Sequence, residues 1–110
     1  MSVSTHVLDT TSGRPAAGLS VELNCWVFGR WTPFGIGATD ADGRVRDWAD
    51  TSLSSGVYQL SFGTGRYFVD QGTPTLYPYV TVVFEITDPA SHYHVPLLLS
   101  PYAYSTYRGS

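Results

Sequence analysis

Cysteine is almost missing from this 110-residue chain: Cys25 stands alone, so neither an intrachain disulfide nor a cysteine-based zinc cluster can be built. Between Leu23 and Val27 it reads as a small buried hydrophobe rather than a nucleophile. Charge is also scarce, at 14% of residues, and the net charge of -3 leaves no basic footprint for nucleic acid or an anionic membrane. No apolar run approaches the length of a membrane span. The opening MSVSTHVLDT lacks the basic and apolar regions of a secretory leader, so a cytoplasmic protein is expected. There is no Gly-x-Ser-x-Gly elbow, and GTGR at 63–66 lacks phosphate-loop spacing. Repeats, low-complexity tracts and linkers are absent, and the length predicts one domain, residues 1–110, around one core.

What the chain does have is aromatic and strand-like. Eight tyrosines and an aromatic share of 15% favour a pleated surface over helices. Residues 3–9 alternate, with Val3, Thr5 and Val7 on one side and Ser4, His6 and Leu8 on the other. Residues 18–28 put Leu19, Val21, Leu23, Cys25 and Val27 on one face, the pattern of a half-buried antiparallel strand. Tyr58, Leu60 and Phe62 repeat that pattern, as do Val80, Val82, Phe84 and Ile86. TTSGRPAAG, GRWTPFG and DTSLSSG read as loops. Asp42-Gly43 supplies the left-handed backbone of a tight hairpin, and TGRYFVDQG is the one short helix candidate. About eight short strands, with turn signals every ~8–12 residues, predict an all-β antiparallel sandwich.

The final segment, HYHVPLLLSPYAYSTYRGS, stays aromatic and β-prone nearly to its last residue, where most termini turn polar. His92 and His94 point the same way if the segment is a strand. Hydrogen-bonded structural histidines, a zinc site completed by His6, and acid–base chemistry near neutral pH all fit that spacing. Pro96 cannot donate to a sheet ladder, so a bend or bulge is expected there. Further on, Ala103, Ser105 and Tyr107 share one face, and Tyr102, Tyr104 and Thr106 the other. An uncovered strand at this place invites aggregation, and pairing with a symmetry mate would cover it, which predicts an oligomer built through the last strands. Arg44, just after the Asp-Gly turn, is either a solvated hairpin residue or a planar, permanently charged fork for a carbonyl-rich or anionic ligand. Asp9, Asp40 and Asp42 read as turn or cap residues, and Tyr67 and Phe68 as core.

Three stretches in this order resemble the transthyretin-like 5-hydroxyisourate hydrolases: STHVLDTTSGRPAAG (4–18), TDADGRV (39–45) and HYHVPLLLSPYAYSTYRGS (92–110), with its Tyr-Arg-Gly-Ser end. The resemblance spans the chain and implies two four-stranded sheets with one short helix near 64–70. It also implies a homotetramer, a dimer of dimers with active sites near the mouths of a central channel. The implied reaction is metal- and cofactor-free hydrolysis of 5-hydroxyisourate to 2-oxo-4-hydroxy-4-carboxy-5-ureidoimidazoline in urate breakdown. A non-enzymatic carrier on the same fold is the alternative. Position by position, His6, Arg44 and His94 match the catalytic motif residues. Those three, with Tyr107, Arg108, Gly109 and Ser110, are the implied substrate-binding set. In this reading a neutral imidazole of His6 or His94 accepts a proton from water, and Arg44 holds the substrate oxygens. Tyr107 and the terminal carboxylate orient water, substrate or an imidazole tautomer. His92 lies beside the motif and receives no role.

Overall fold

The computed structural model describes residues 2–46, 48 and 53–110. Strand β1 (Ser2–Asp9) and the two-residue β2 (Arg14–Pro15) lead into a long hairpin of β3 (Ser20–Val27) and β4 (Arg30–Ala38). They are followed by β5 (Arg44–Val45), β6 (Gly56–Phe62), helix α1 (Thr64–Val69) and β7 (Val80–Ile86). The chain finishes with β8 (His92–His94), β9 (Leu97–Ser100) and β10 (Ala103–Thr106). One sheet is antiparallel in the order β4-β3-β6-β7. The other holds six segments in four lanes: β10, then β8 and β9 end to end, then β1, then β5 and β2 end to end. The all-β sandwich with one short helix is therefore as expected. The second sheet is nevertheless mixed, because β1 runs parallel to β8 and β9.

The core lies between the sheets and follows the alternation. Val3 and Val7 of β1 face Val21, Leu23, Tyr58, Leu60, Phe62, Val80 and Ile86 of the other sheet, all essentially buried. Complete burial of side chains this size contributes roughly 1.5–3 kcal/mol each. Trp48 is buried too, and its indole N–H finds the Val3 carbonyl at 2.8 Å. Helix α1 contributes buried Phe68, while Tyr67 stays half-buried with its hydroxyl donating to Asp9 Oδ2 at 2.9 Å. The other oxygen of Asp9 accepts the Thr11 N–H at 3.0 Å, the turn role expected for it. Cys25 is half-buried against the core.

Two expectations are corrected. The loop read at 29–35 is instead most of strand β4. Phe28 and Gly29 both adopt positive φ, 50° and 76°, which makes a two-residue turn whose twist suits a hairpin. Pro33 is tolerated because β4 is an edge strand, and the ladder slips there, with Leu23 opposite Gly35 and Asn24 opposite Pro33. The Asp-Gly turn has its left-handed glycine, Gly43 with φ 75°, but joins no hairpin: β4 lies in one sheet and β5 in the other. Of the loop read at 50–56, residues 50–52 lie outside the described residues.

Candidate active site

The site grows from the register of the mixed sheet. In the parallel pairing of β1 with β8, Ser4 is the partner of His94 and Ser2 of His92. On the other edge of β1, His6 is the partner of Arg44 in β5. Partners across a ladder share a face. Val3, Thr5 and Val7 point into the core, so Ser4, His6, His92, His94 and Arg44 share the outer face. A sequence separation of 90 residues between Ser4 and His94 thus closes to a 2.7 Å hydrogen bond.

Each position is held from behind. Asp40 Oδ1 accepts the backbone N–H of Asp42 at 2.9 Å and of Arg44 at 3.0 Å, and these bonds hold its carboxyl below the ordinary range, with the Arg44 N–H the largest influence. Gly43 can follow because it lacks a Cβ, which would meet the Val7 carbonyl oxygen at 2.5 Å. The Val95 N–H donates to the Ser4 carbonyl at 2.9 Å, and Pro96 then interrupts the strand where the bend was expected. The chain end folds back over β8: Gly109 N–H donates to the His94 carbonyl at 2.8 Å, and the Arg108 guanidinium donates to the His92 carbonyl at 3.2 Å.

Ser4, Thr5, Arg44, Arg46, His92, His94 and Ser110 line an open cavity of about 450 Å³. Arg44, His94 and Ser110 therefore meet in one place. His6 is half-buried beside them, in register with Arg44. Gly109 packs against the His94 ring. Tyr107 and Arg108 lie elsewhere, lining a separate cleft of about 280 Å³ with Val83, Phe84 and Tyr93, where the Arg108 guanidinium sits 4.3 Å above the Tyr93 ring. The sequence reading passed over Ser4 and Arg46 and left His92 without a role. The alternation placed Ser4 beside His6, but its partners come from a strand 88 to 90 residues away.

Burial lowers the His94 pKa below the ordinary imidazole value, and the charges of Arg44, His92 and His6 push it the same way. His94 therefore stays neutral at neutral pH, with a lone pair available for a proton. Beside it stands a permanently charged guanidinium. The pair can accept a proton from water and stabilise negative charge on an oxygen. Among the described residues, no three His, Cys, Asp or Glu side chains are placed to hold a metal ion.

Residues 3–109 match the model of the HIUase/Transthyretin family. A 5-hydroxyisourate hydrolase of Salmonella typhimurium is 44% identical over 109 residues, covering 98% of this chain and 80% of that protein. The solved structure of Klebsiella pneumoniae 5-hydroxyisourate hydrolase superposes with a TM-score of 0.87 at 34% identity, over the full length of both chains. Sea bream transthyretin in complex with thyroxine superposes with a TM-score of 0.93 at 29% identity, over 99% of this chain and 95% of that one.

Proposed function

This chain belongs to the HIUase/transthyretin family, and from that premise we propose that it hydrolyses 5-hydroxyisourate to 2-oxo-4-hydroxy-4-carboxy-5-ureidoimidazoline in urate degradation. The observation that carries this reading is the His94 imidazole and the Arg44 guanidinium lining one cavity with Ser110. A carrier has no use for a base held beside a charge-stabilising fork.

The nitrogen that acts is Nε2 of His94, because Nδ1 is bonded to Ser4. Water, held against Nε2, gives up a proton as its oxygen attacks the ring carbonyl. Such a base contributes roughly 10²–10⁴-fold in rate. Arg44 faces the oxyanion that forms, and electrostatic stabilisation of this kind is worth about 10²–10³-fold. The proton on Nε2 then goes to the departing ring nitrogen. His6, paired with Arg44, shares the basic role, and Gly109 and Ser110 shape the cavity wall. No step calls on a metal or cofactor.

Tyr107 and Arg108 belong to the substrate-binding set through assembly. Strand β7 is one edge of its sheet, opposite β4, and β10 is one edge of the other, opposite the β5 and β2 lane, and β10 is exposed along its length. Edge-to-edge pairing of copies covers both, and two such dimers form a homotetramer whose cavities open on a central channel. A cytoplasmic setting suits the lone free cysteine, and no helix among the described residues is long and apolar enough to cross a membrane.

The test is the ultraviolet decay of freshly generated 5-hydroxyisourate with and without purified protein. Acceleration over the spontaneous rate supports the reading. An unchanged rate, with thyroxine or a similar small ligand bound instead, favours the carrier, which the likeness to sea bream transthyretin keeps in view.

A further inference from the structure

One hydroxyl stands between two imidazoles. Ser4 Oγ lies 2.7 Å from Nδ1 of His94 and 2.9 Å from Nε2 of His92. The two rings are nearly parallel, 14° apart with centroids at 6.4 Å. All three residues sit on one ladder, and the backbones of Ser4, His92 and His94 are each held by the further hydrogen bonds described above. His94 is half-buried and His92 exposed.

The arithmetic of donors restricts what this trio can do. A hydroxyl donates once and accepts twice, and a neutral imidazole has one N–H and one lone pair. The two nitrogens facing Ser4 therefore cannot both be bonded lone pairs. For His94 to offer a lone pair at Nε2 it must carry its proton on Nδ1 and donate it to Ser4. The hydroxyl is then free to donate to Nε2 of His92. In this arrangement a continuous line of hydrogen bonds runs from the reacting nitrogen's ring to the exposed ring.

We propose that Ser4 and His92 are positioning residues that act through His94, forming a relay that moves charge from the half-buried His94 ring to the exposed His92 ring. When His94 Nε2 takes a proton from water, the His94 Nδ1–H bond breaks and a new O–H bond forms on Ser4. The old Ser4 O–H bond breaks and an N–H bond forms on His92 Nε2. One proton enters, one positive charge ends on His92, and His94 is left neutral with its proton on Nε2, ready for the leaving nitrogen. Reversal of the relay accompanies that second transfer. The surroundings favour the displacement. Burial first, and then the Arg44 charge, disfavour a cation on His94, whereas His92 is the more exposed ring; Arg46 and the Ser110 carboxylate stand on the same cavity wall with opposite charges. Around His92 the Arg108 guanidinium meets the backbone carbonyl.

The inference rests on the reading of His94 as the acid–base group, and two measurements on the full-length protein keep the two apart. Long-range ¹H–¹⁵N spectra report which ring nitrogens carry protons as pH is lowered. The expected result is a coupled titration of His92 and His94 that Ser4→Ala abolishes and Ser4→Thr retains. The kcat/KM profile is the second. Ser4→Ala and His92→Gln should each lower the plateau about tenfold, with KM little changed. Ser4→Ala should also move the acid limb to lower pH, because His94 loses the hydroxyl that accepts its Nδ1 proton, whereas His92→Gln removes a charge that lowers the His94 pKa and should move the limb to higher pH. Rate loss with an unmoved limb in both variants, or independent titration of the two rings in the wild type, would overturn the relay. Coupled titration in a protein that does not hydrolyse 5-hydroxyisourate would leave the relay standing and sink the hydrolase reading. His92→Gln, on an exposed position, keeps the test valid if Ser4→Ala folds poorly.

Discussion

A Cβ placed on Gly109 would stand 2.5 Å from Cδ2 of His94, closer than any side chain can approach without displacing the ring or the tail. The contact ties the chain end to the imidazole directly, and it follows from two bonds: Gly109 N–H to the His94 carbonyl and Thr106 Oγ1 to the Pro96 carbonyl, at 2.8 and 2.7 Å. Gly109→Ala should therefore lower kcat/KM about 10²-fold, the scale of a ~1 Å misplacement at a reacting centre. The urea midpoint should barely move, because the segment is peripheral to the core. Wild-type efficiency in the purified variant would detach the tail from the chemistry.

Arg44 supports a second test. Its backbone is pinned by Asp40 and its side chain reaches the cavity lined by His94. Arg44→Ala should reduce kcat about 10²–10³-fold by removing the charge that meets the oxyanion. Arg44→Lys should recover only part of this, since an ammonium lacks the planar fork. Equal rates for all three proteins in the ultraviolet assay would remove Arg44 from the mechanism.

Stability should carry the signature of His94. Its folded pKa lies below the ordinary 6.5, chiefly through burial and then through Arg44, His92 and His6. The unfolded chain therefore binds the proton more readily than the folded one. The resulting stabilisation is present above about 6.5 and is lost as pH falls through that value and on through the lower folded pKa. Urea midpoints of the wild type should decline across this acid window, and those of His94→Gln should decline less. Parallel declines would show that the depressed titration belongs to other groups.

These residues also mark where the sequence was legible. Alternation identified the buried faces of β1, β6 and β7, because a sheet covered on one side writes its burial with period two. His6, Arg44 and His94 stood out through the three motifs that resemble the family, whereas spacing alone left Arg44 and the histidine pair open. Strand β4 was hidden by Pro33 and two glycines, Gly35 and Gly37, which an edge strand with a register slip accommodates and a central strand does not. Ser4 was hidden for a different reason. Its neighbours come from a parallel pairing across 90 residues, and parallel register leaves no local turn in the sequence to read. Tyr107 and Arg108 sit in the terminal motif, yet in the single chain their side chains line a different cleft from His94.

That separation makes assembly testable. If Tyr107 serves substrate only when copies meet, blocking the edge of β10 must affect both association and turnover. Ser105 lies on the exposed edge strand, on the same face as Ala103, and packs into no core. Ser105→Lys places a charge where a second copy would approach, a device that natural edge strands use against pairing. Sedimentation at micromolar concentration should show a tetramer for the wild type and smaller species for the variant, with thermal unfolding still cooperative. Its kcat/KM should fall in step with the loss of tetramer and recover at higher protein concentration, as mass action requires. A monomeric wild type with full activity would place the whole site within one chain and leave Tyr107 without a part in it.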